Sequence, residues 1–143
     1  MDNRHRAREL ALSLLYQLEF HPLEAFEEQC QAFWVEHPIK SETQSLADEL
    51  VRGILHNRKP IDDLISSHVE HWILSRLALV DVCILRLAAF ELIFYGNTPW
   101  KVAIDEAIEL AKAFGGKDSS AFVNGVLDKL SALAKDKSPA PLG

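Results

Sequence analysis

The segment from Pro99 to Leu130 places the strongest constraint on the fold, because its pattern is that of a helix, a glycine turn and a second helix. Gly115 and Gly116 separate the two helices. The first helix is predicted to stop near Phe114 and the second near Ala134. This arrangement favours a helical protein over one that is built on β-strands.

The residues that flank these two helices suit helix caps. Thr98 is predicted to be the N-cap of the first helix, with Pro99 at its first position. Asp118 or Ser119 is predicted to cap the second helix. Gly125 lies inside the second helix, where glycine costs about 1 kcal/mol relative to alanine. Close packing against another helix would explain this glycine.

Helical spacing of apolar residues continues through most of the chain. The clearest stripe lies near the start and comprises Ala7, Leu10, Ala11, Leu14, Leu15 and Leu18. The segment from Leu77 to Tyr95 is apolar on most faces, which is typical of a helix in the middle of a bundle. No convincing two-residue alternation indicates a strand. The sequence therefore predicts an all-α bundle of about seven helices.

The length of 143 residues is usual for one domain. We expect a single helical domain over residues 1–135 and a disordered tail at 136–143. No run of about 18 uninterrupted apolar residues occurs, so we expect no membrane-spanning helix, and the start of the chain lacks the pattern of a signal peptide.

Cys30 and Cys83 lie in apolar surroundings, which indicates buried thiols in a reducing cytoplasm.

Three arginines near the start are the clearest physical indication of a ligand. The formal net charge is −6, which does not suggest a general nucleic-acid binder. Arg4, Arg6 and Arg8 nevertheless stand at the N-terminus of the first predicted helix, where the helix dipole favours acids over cations. Helix stability therefore does not explain them. Contact with RNA phosphates and bases is one explanation, and a solvated basic helix end beside Glu9 is the other.

A second candidate site is the glycine corner between Phe114 and Phe122. Lys117 stands in this corner beside the start of the last helix, where backbone N–H groups can hold phosphate. Aromatic rings can stack on unpaired bases. The alternative is that both phenylalanines face the core and that the glycines only turn the chain. The spacing differs from that of a phosphate-cradling nucleotide loop.

Arg86 lies within an apolar helix, so it needs a partner or a position at the edge of the helix bundle. A buried ion pair with Glu91 or Glu106 is one possibility, and a contact with RNA is the other. Arg86 is thus a further candidate for the RNA-binding set.

No pattern in the chain indicates catalysis, a metal site or a cofactor. His68 and His71 are three residues apart, but no further ligands follow at the spacing of a zinc site. We find no Ser-His-Asp order, paired-carboxylate motif or reactive-cysteine context. We therefore expect a protein that is not an enzyme and that binds neither metal nor cofactor.

Four segments resemble the bacterial transcription antitermination factor NusB family, in the family's order along the chain. They are Arg6-Ala-Arg-Glu-Leu-Ala, Leu50-Val-Arg-Gly-Ile-Leu, Ile84-Leu-Arg-Leu-Ala-Ala-Phe-Glu-Leu, and the segment 99–130 with its run Phe122-Val-Asn-Gly-Val-Leu-Asp-Lys. The resemblance implies the same helical fold. It also implies that the arginine-rich start binds RNA, because Arg6-Ala-Arg8-Glu9 matches that part of the family pattern.

The resemblance also implies partners. The family binds the boxA element of nascent RNA, mainly in ribosomal operons, together with the ribosomal protein NusE, and joins RNA polymerase with other elongation factors. Tyr16 and Asp81 are the predicted protein-partner residues. Asp81 interrupts an apolar helix, and the resemblance places its position near the NusE contact. The acidic stretch from His21 to Glu49 suits a basic ribosomal protein.

Two other functions remain open at this point. A similar domain precedes the catalytic domain of a ribosomal-RNA cytosine methyltransferase. The alternatives are therefore an RNA-binding module of that kind and a helical homodimer without RNA contact.

Overall fold

The computed structural model describes residues 3–69 and 77–137, except for the side chains of residues 135–137. The elements in these residues are helical: α1 (Asn3–Leu18), a 3₁₀ turn (Leu23–Ala25), α2 (Phe26–Glu36), α3 (Ser41–His56), α4 (Arg58–His68), α5 (Leu79–Ala89), a π-helical segment (Phe90–Tyr95), α6 (Trp100–Phe114) and α7 (Ser119–Lys137). The predicted all-α fold of about seven helices is confirmed. Within the described ranges, no helix is both long enough and apolar enough to cross a lipid bilayer.

The chain divides into two compact units, Met1–Arg52 and Gly53–Gly143. In the first unit, α1 packs against α2. The stripe predicted for α1 lies in the core as far as Leu15: Leu10, Leu14 and Leu15 are at most 5% exposed, whereas Leu18 is half-buried. Burial of each such side chain contributes about 1.5–3 kcal/mol.

Arg52 links α3 to α2 in the first unit. Its guanidinium donates to Asp48 Oδ2 at 2.6 Å and to the two carboxylate oxygens of Glu27 at 2.7 and 3.1 Å. It also lies 4.8 Å from the centre of the Phe26 ring. The hydrogen bonds from Arg52 lower the pKa of the Glu27 carboxyl. Part of the acidic stretch is therefore neutralised by one arginine.

Both cysteines are buried, as predicted. Cys30 is 3% exposed and Cys83 is 1% exposed. Burial raises the pKa of the Cys30 thiol to about 11, so this thiol stays protonated at neutral pH. A protonated, buried thiol is a poor nucleophile.

Helix α5 lies at the centre of the second unit. Every residue from Asp81 to Phe90 is buried, and α5 contacts α4, α6 and α7. This confirms the prediction of a helix in the middle of a bundle. Helices α6 and α7 pack against each other and form the predicted helical hairpin.

The helix predicted over Leu77–Tyr95 is divided in the structure. It begins at Leu79, and its last six residues, Phe90–Tyr95, form the π-helical segment. The segment ends at Gly96, which has a φ of 77°. Glycine adopts this left-handed conformation without the steric cost of a Cβ atom.

Thr98 does not cap α6 with its side chain. Pro99 occupies the N-cap position, and the Thr98 hydroxyl donates to Glu91 Oε1 at 2.9 Å. The predicted role of Thr98 is wrong because Pro99 takes the N-cap position and the Thr98 side chain instead bonds to Glu91, which is only 2% exposed.

Helix α7 begins directly after Asp118, whose carbonyl oxygen accepts a hydrogen bond from Phe122 N–H at 3.1 Å. It runs to Lys137, which is past the predicted end at Ala134. The first two residues of the predicted tail are therefore helical. The remaining six, 138–143, lie outside the described residues.

Two glycines lie within helices but in opposite surroundings. A Cβ atom on Gly53 would lie 2.3 Å from Phe90 Cζ, so glycine allows the backbone and this ring to approach closely. A Cβ atom on Gly125 would meet nothing within 4 Å, and Gly125 is exposed. The prediction that helix packing explains Gly125 is therefore wrong.

Candidate nucleic-acid interface

The start of α1 presents two exposed arginines, Arg4 and Arg6. No acid lies in the first turn of α1, so both cations oppose the helix dipole, as the sequence predicts. Arg6 Nη1 donates to Glu9 Oε1 at 3.3 Å. An exposed ion pair of this kind contributes about 0–1 kcal/mol, so a phosphate group can compete for the guanidinium.

Arg8 differs from the other two arginines because it is only 4% exposed. Arg8 also takes part in an interaction within the protein. A buried guanidinium acts on the stability of the fold more than on a ligand at the surface. The predicted set of three arginines is therefore divided into an exposed pair and a buried residue.

The corner between α6 and α7 is built by short-range hydrogen bonds. Gly115 N–H donates to Ala111 O at 2.9 Å and closes α6. Gly116 N–H donates to Ser119 Oγ at 2.8 Å, and Ser119 N–H donates to Gly116 O at 3.2 Å. Lys117 lies between these joined residues and is exposed. The corner thus holds a cation on a short, closed turn.

Phe114 and Phe122 flank this corner. Phe114 is 46% exposed, so it is not a core residue. Phe122 is half-buried, whereas the next residue, Val123, is fully buried. An accessible aromatic ring on the same corner as an exposed lysine suits a single-stranded nucleic acid, which offers both bases and phosphates.

Arg86 lies in the core of the second unit and is 4% exposed. Its Nε donates to Asp62 Oδ1 at 2.9 Å and its Nη2 donates to Asp62 Oδ2 at 3.0 Å. A buried ion pair was one of the two possibilities for Arg86, and the structure supplies it with a carboxylate that the sequence did not indicate. The other possibility, contact with RNA, does not fit a side chain at this depth. We therefore leave Arg86 out of the proposed interface.

The two predicted protein-partner residues differ in exposure. Tyr16 is 42% exposed, and its ring packs edge-on against Phe20 with 5.3 Å between the ring centres. Asp81 lies in the first turn of α5 and is 8% exposed. Its Oδ1 atom is buried and has no hydrogen-bond partner among the described residues. Such an oxygen is costly until a donor reaches it.

The predicted residues fall into separate groups. In the first unit, Arg4 and Arg6 lie on the same helix as Tyr16, with Tyr16 roughly 18 Å further along the helix axis than Arg4. In the second unit, Lys117 and Phe122 both belong to the α6–α7 corner. The structure therefore offers one basic helix end and one basic, aromatic corner.

No group of three or more His, Cys, Asp or Glu side chains in residues 3–69 and 77–137 is arranged to hold a metal ion. His68 is engaged locally, because its Nδ1 atom lies 3.0 Å from Leu64 O and 2.9 Å from Ser67 Oγ. His71 lies outside the described residues.

Sequence reasoning missed two polar contacts of the second unit. Ser119 was identified only as a possible cap, although its hydroxyl accepts from Gly116, three residues earlier. The contact has the three-residue spacing of a capping box, but Gly116 and Ser119 lack the residue types of its sequence signature. Asp62 precedes Arg86 by 24 residues, and no local pattern connects the two.

Comparison with known proteins gives consistent results. The model of the NusB family matches residues 5–132. The transcription antitermination protein NusB of Geobacter sulfurreducens is 42% identical over 137 residues, which cover 96% of this chain and 99% of that protein.

Two solved structures are also similar. The structure of T. maritima NusB has a TM-score of 0.81 and 41% identity, and the match covers 95% of this chain and 93% of that chain. A crystal structure of the antitermination factors NusB and NusE in complex with dsRNA has a TM-score of 0.75 and 28% identity, and the match covers 95% of this chain and 98% of that chain.

Proposed function

Because the chain belongs to the NusB family, we propose that it is a transcription antitermination factor that binds RNA together with NusE and has no catalytic activity of its own. The proposed RNA is a boxA-type single strand in a nascent transcript. The proposed setting is the cytoplasm, where the RNA-bound pair joins an RNA polymerase elongation complex with other Nus factors.

The observation that carries the RNA-binding part is the exposed arginine pair at the start of α1. The chain has a net charge of −6, yet Arg4 and Arg6 stand where a helix disfavours cations. A phosphate ligand compensates this unfavourable placement. The acidic remainder of the chain repels polyanions, so binding depends on local contacts rather than on net charge.

The α6–α7 corner is the second proposed RNA contact. Exposed Lys117 offers one phosphate contact, and half-buried Phe122 offers an aromatic ring on which an unpaired base can stack. Stacking needs a base outside a duplex, which favours a single strand over a double helix. Because the related NusB–NusE structure is a complex with dsRNA, both forms belong in the test.

Tyr16 of the first unit and Asp81 of the second unit are each proposed to contact NusE. Tyr16 offers an exposed ring with a hydroxyl group, a combination that is common at protein interfaces. Asp81, although only 8% exposed, carries a negative charge that suits a basic side chain of the ribosomal protein. We expect Asp81→Ala to weaken capture by immobilised NusE at least tenfold, since it removes a charged acceptor whose hydrogen bond contributes about 1.5–3 kcal/mol. Unchanged capture would place the NusE contact elsewhere.

Binding of one RNA by both the chain and NusE explains how modest individual contacts can hold the RNA tightly. When NusE and the chain hold each other and the same RNA, the second RNA contact becomes intramolecular. Affinity for the pair then exceeds that of either protein alone, by about 100-fold or more where the geometry allows both contacts.

The test is a titration of fluorescently labelled boxA-type RNA with the chain alone, with NusE alone and with both. We expect the mixture to bind more tightly than either protein, and we expect the binding constant to fall as salt is raised. A scrambled strand and a duplex of the same sequence are the controls. A mixture that binds no more tightly than NusE alone would contradict the proposal.

A further inference from the structure

The α6–α7 corner ends in a four-residue turn from Gly116 to Ser119. Two hydrogen bonds join the same two end residues in opposite directions. Gly116 N–H donates to the Ser119 hydroxyl oxygen at 2.8 Å, and Ser119 N–H donates to the Gly116 carbonyl at 3.2 Å. The ends of the turn therefore separate only when both bonds break.

Burial makes the side-chain bond important. Ser119 is 5% exposed, whereas Lys117 and Asp118, the central residues of the turn, are exposed. Loss of the Ser119 hydroxyl would leave Gly116 N–H without this acceptor, and water has poor access to the position that the hydroxyl occupies. Ser119 is thus the buried end of a turn whose other end, Gly116, is exposed together with the tip.

Gly115 confines the Ser119 side chain from the other side. A Cβ atom on Gly115 would lie 2.5 Å from Ser119 Cβ, 2.5 Å from Ser119 Oγ and 2.7 Å from Ala111 O. The backbone of Gly115 is extended, with φ of −88° and ψ of −176°, so the requirement for glycine is one of space. The Ser119 hydroxyl is therefore held between the end of α6 and the turn.

We propose that Ser119 is a positioning residue for RNA binding, because its hydroxyl fixes the turn that carries Lys117. Ser119 does not touch RNA in this account and acts through Lys117. A lysine side chain loses about 1.5–2 kcal/mol of rotamer freedom when it is fixed, and a rigid backbone at its base avoids a further ordering cost on binding. The inference rests on the proposed function of the corner as an RNA contact.

The first test compares Ser119→Ala with Ser131→Ala in the presence of NusE and boxA-type RNA. Ser131 is a matched control, since it is a buried serine of the same helix whose hydroxyl donates to Asp128 O at 2.7 Å. We expect Ser119→Ala to weaken RNA binding about three- to tenfold, the effect of one hydrogen bond. We expect Ser131→Ala to bind within about twofold of the parent.

A double-mutant cycle with Lys117→Ala separates positioning from a merely structural role. If Ser119 acts through Lys117, the loss that Lys117→Ala causes is smaller in the Ser119→Ala background than in the parent. Equal losses in the two backgrounds would overturn the proposal, even if Ser119→Ala alone weakens binding.

Amide hydrogen exchange measures directly how often the turn from Gly116 to Ser119 opens. We expect Ser119→Ala to speed exchange at Gly116 N–H while the amides in the middle of α7 keep their protection. If Gly116 exchanges faster and RNA binding stays at the parent level, the turn does not position Lys117 and the proposal is wrong.

A second variant covers the case in which Ser119→Ala does not fold. Gly115→Ala places a Cβ atom against the Ser119 side chain and displaces it without removing the hydroxyl. We expect this variant to weaken RNA binding at least as much as Ser119→Ala does. Parent-level binding by folded Gly115→Ala would overturn the proposal.

Failure of the proposed function is distinguishable from failure of this inference. If the parent chain with NusE does not bind boxA-type RNA, the proposed function fails whatever Ser119 does. If the parent binds and Lys117→Ala weakens the binding, the function stands, and the double-mutant cycle, hydrogen exchange and the Gly115→Ala variant decide the role of Ser119.

Discussion

Arg86 and Asp62 form a bidentate ion pair between α5 and α4, with Nε 2.9 Å from Oδ1 and Nη2 3.0 Å from Oδ2. The Arg86 side chain is 5% exposed and that of Asp62 is 23% exposed. Removal of one partner leaves the other charge largely desolvated, which is costly. Arg86 is therefore a residue of the fold rather than of the RNA interface.

We expect Arg86→Ala to lower the free energy of unfolding by about 3 kcal/mol, the lower end of the effect of breaking a buried pair, because Asp62 is partly exposed. Thermal or urea unfolding measures this loss. The double variant Arg86→Met with Asp62→Leu should regain part of it, since the Asp62 charge is then removed together with its partner. A loss of RNA affinity in a fully stable Arg86→Ala variant would restore Arg86 to the RNA-binding set.

The exposed and buried arginines of α1 should respond differently to substitution. We expect Arg4→Ala with Arg6→Ala to reduce the slope of log affinity against log salt by about 1.4, which is about 0.7 for each phosphate contact with a single strand. The melting temperature should change little, because both residues are exposed.

Arg8→Ala is the matched control for that pair. Arg8 is 4% exposed, so its loss should lower the melting temperature and leave the salt slope unchanged. If the pair variant keeps the parent slope and affinity, the start of α1 is only a solvated basic helix end.

Substitution of the two helical glycines by alanine should change the free energy of unfolding in opposite directions. Gly125→Ala should raise the free energy of unfolding by about 0.4–1 kcal/mol, because the new Cβ atom meets open space within a helix. Gly53→Ala should lower it, because the new Cβ atom would lie 2.3 Å from Phe90 Cζ. Urea titrations of both variants check the pair, and a loss of stability for Gly125→Ala would mean that this glycine serves the fold.

Phe122 should contribute to RNA binding through stacking. We expect Phe122→Ala to reduce the free energy of RNA binding by about 1–3 kcal/mol for one stacked base. Its half-buried position predicts a stability loss smaller than the roughly 3–5 kcal/mol of a fully buried phenylalanine. Paired thermal melting and RNA titration separate the two effects. A large drop in melting temperature, with unchanged RNA affinity of the folded protein, would show that Phe122 serves the core and not RNA binding.

The all-helical fold could be predicted from the sequence because apolar spacing is a local signal. The stripe through Leu10 and Leu14 indicates α1, and the apolar run around Ile84 indicates the central helix. The π-helical segment could not be predicted in this way, since its apolar pattern is the same as that of an α-helix. Nor could the partner of Arg86, because the contact with Asp62 joins residues that are distant in sequence.

The candidate site was predictable in part. The basic start and the glycine corner were visible as residue types, but their exposure was not. Arg8 is buried although Arg4 and Arg6 are exposed. It lies four residues before Leu12, which is 3% exposed, so it shares a buried face of the helix. The helical position of each arginine, rather than its charge, decides which of them reaches the surface.

Transcription past a terminator tests the central claim most directly. The template carries a boxA element upstream of a terminator, and full-length transcripts are counted with RNA polymerase, NusE and the other Nus factors, with and without the chain. We predict that the chain increases the fraction of full-length transcript, and that the increase disappears when NusE is omitted or boxA is scrambled. An unchanged fraction of full-length transcript with all components present would contradict the account.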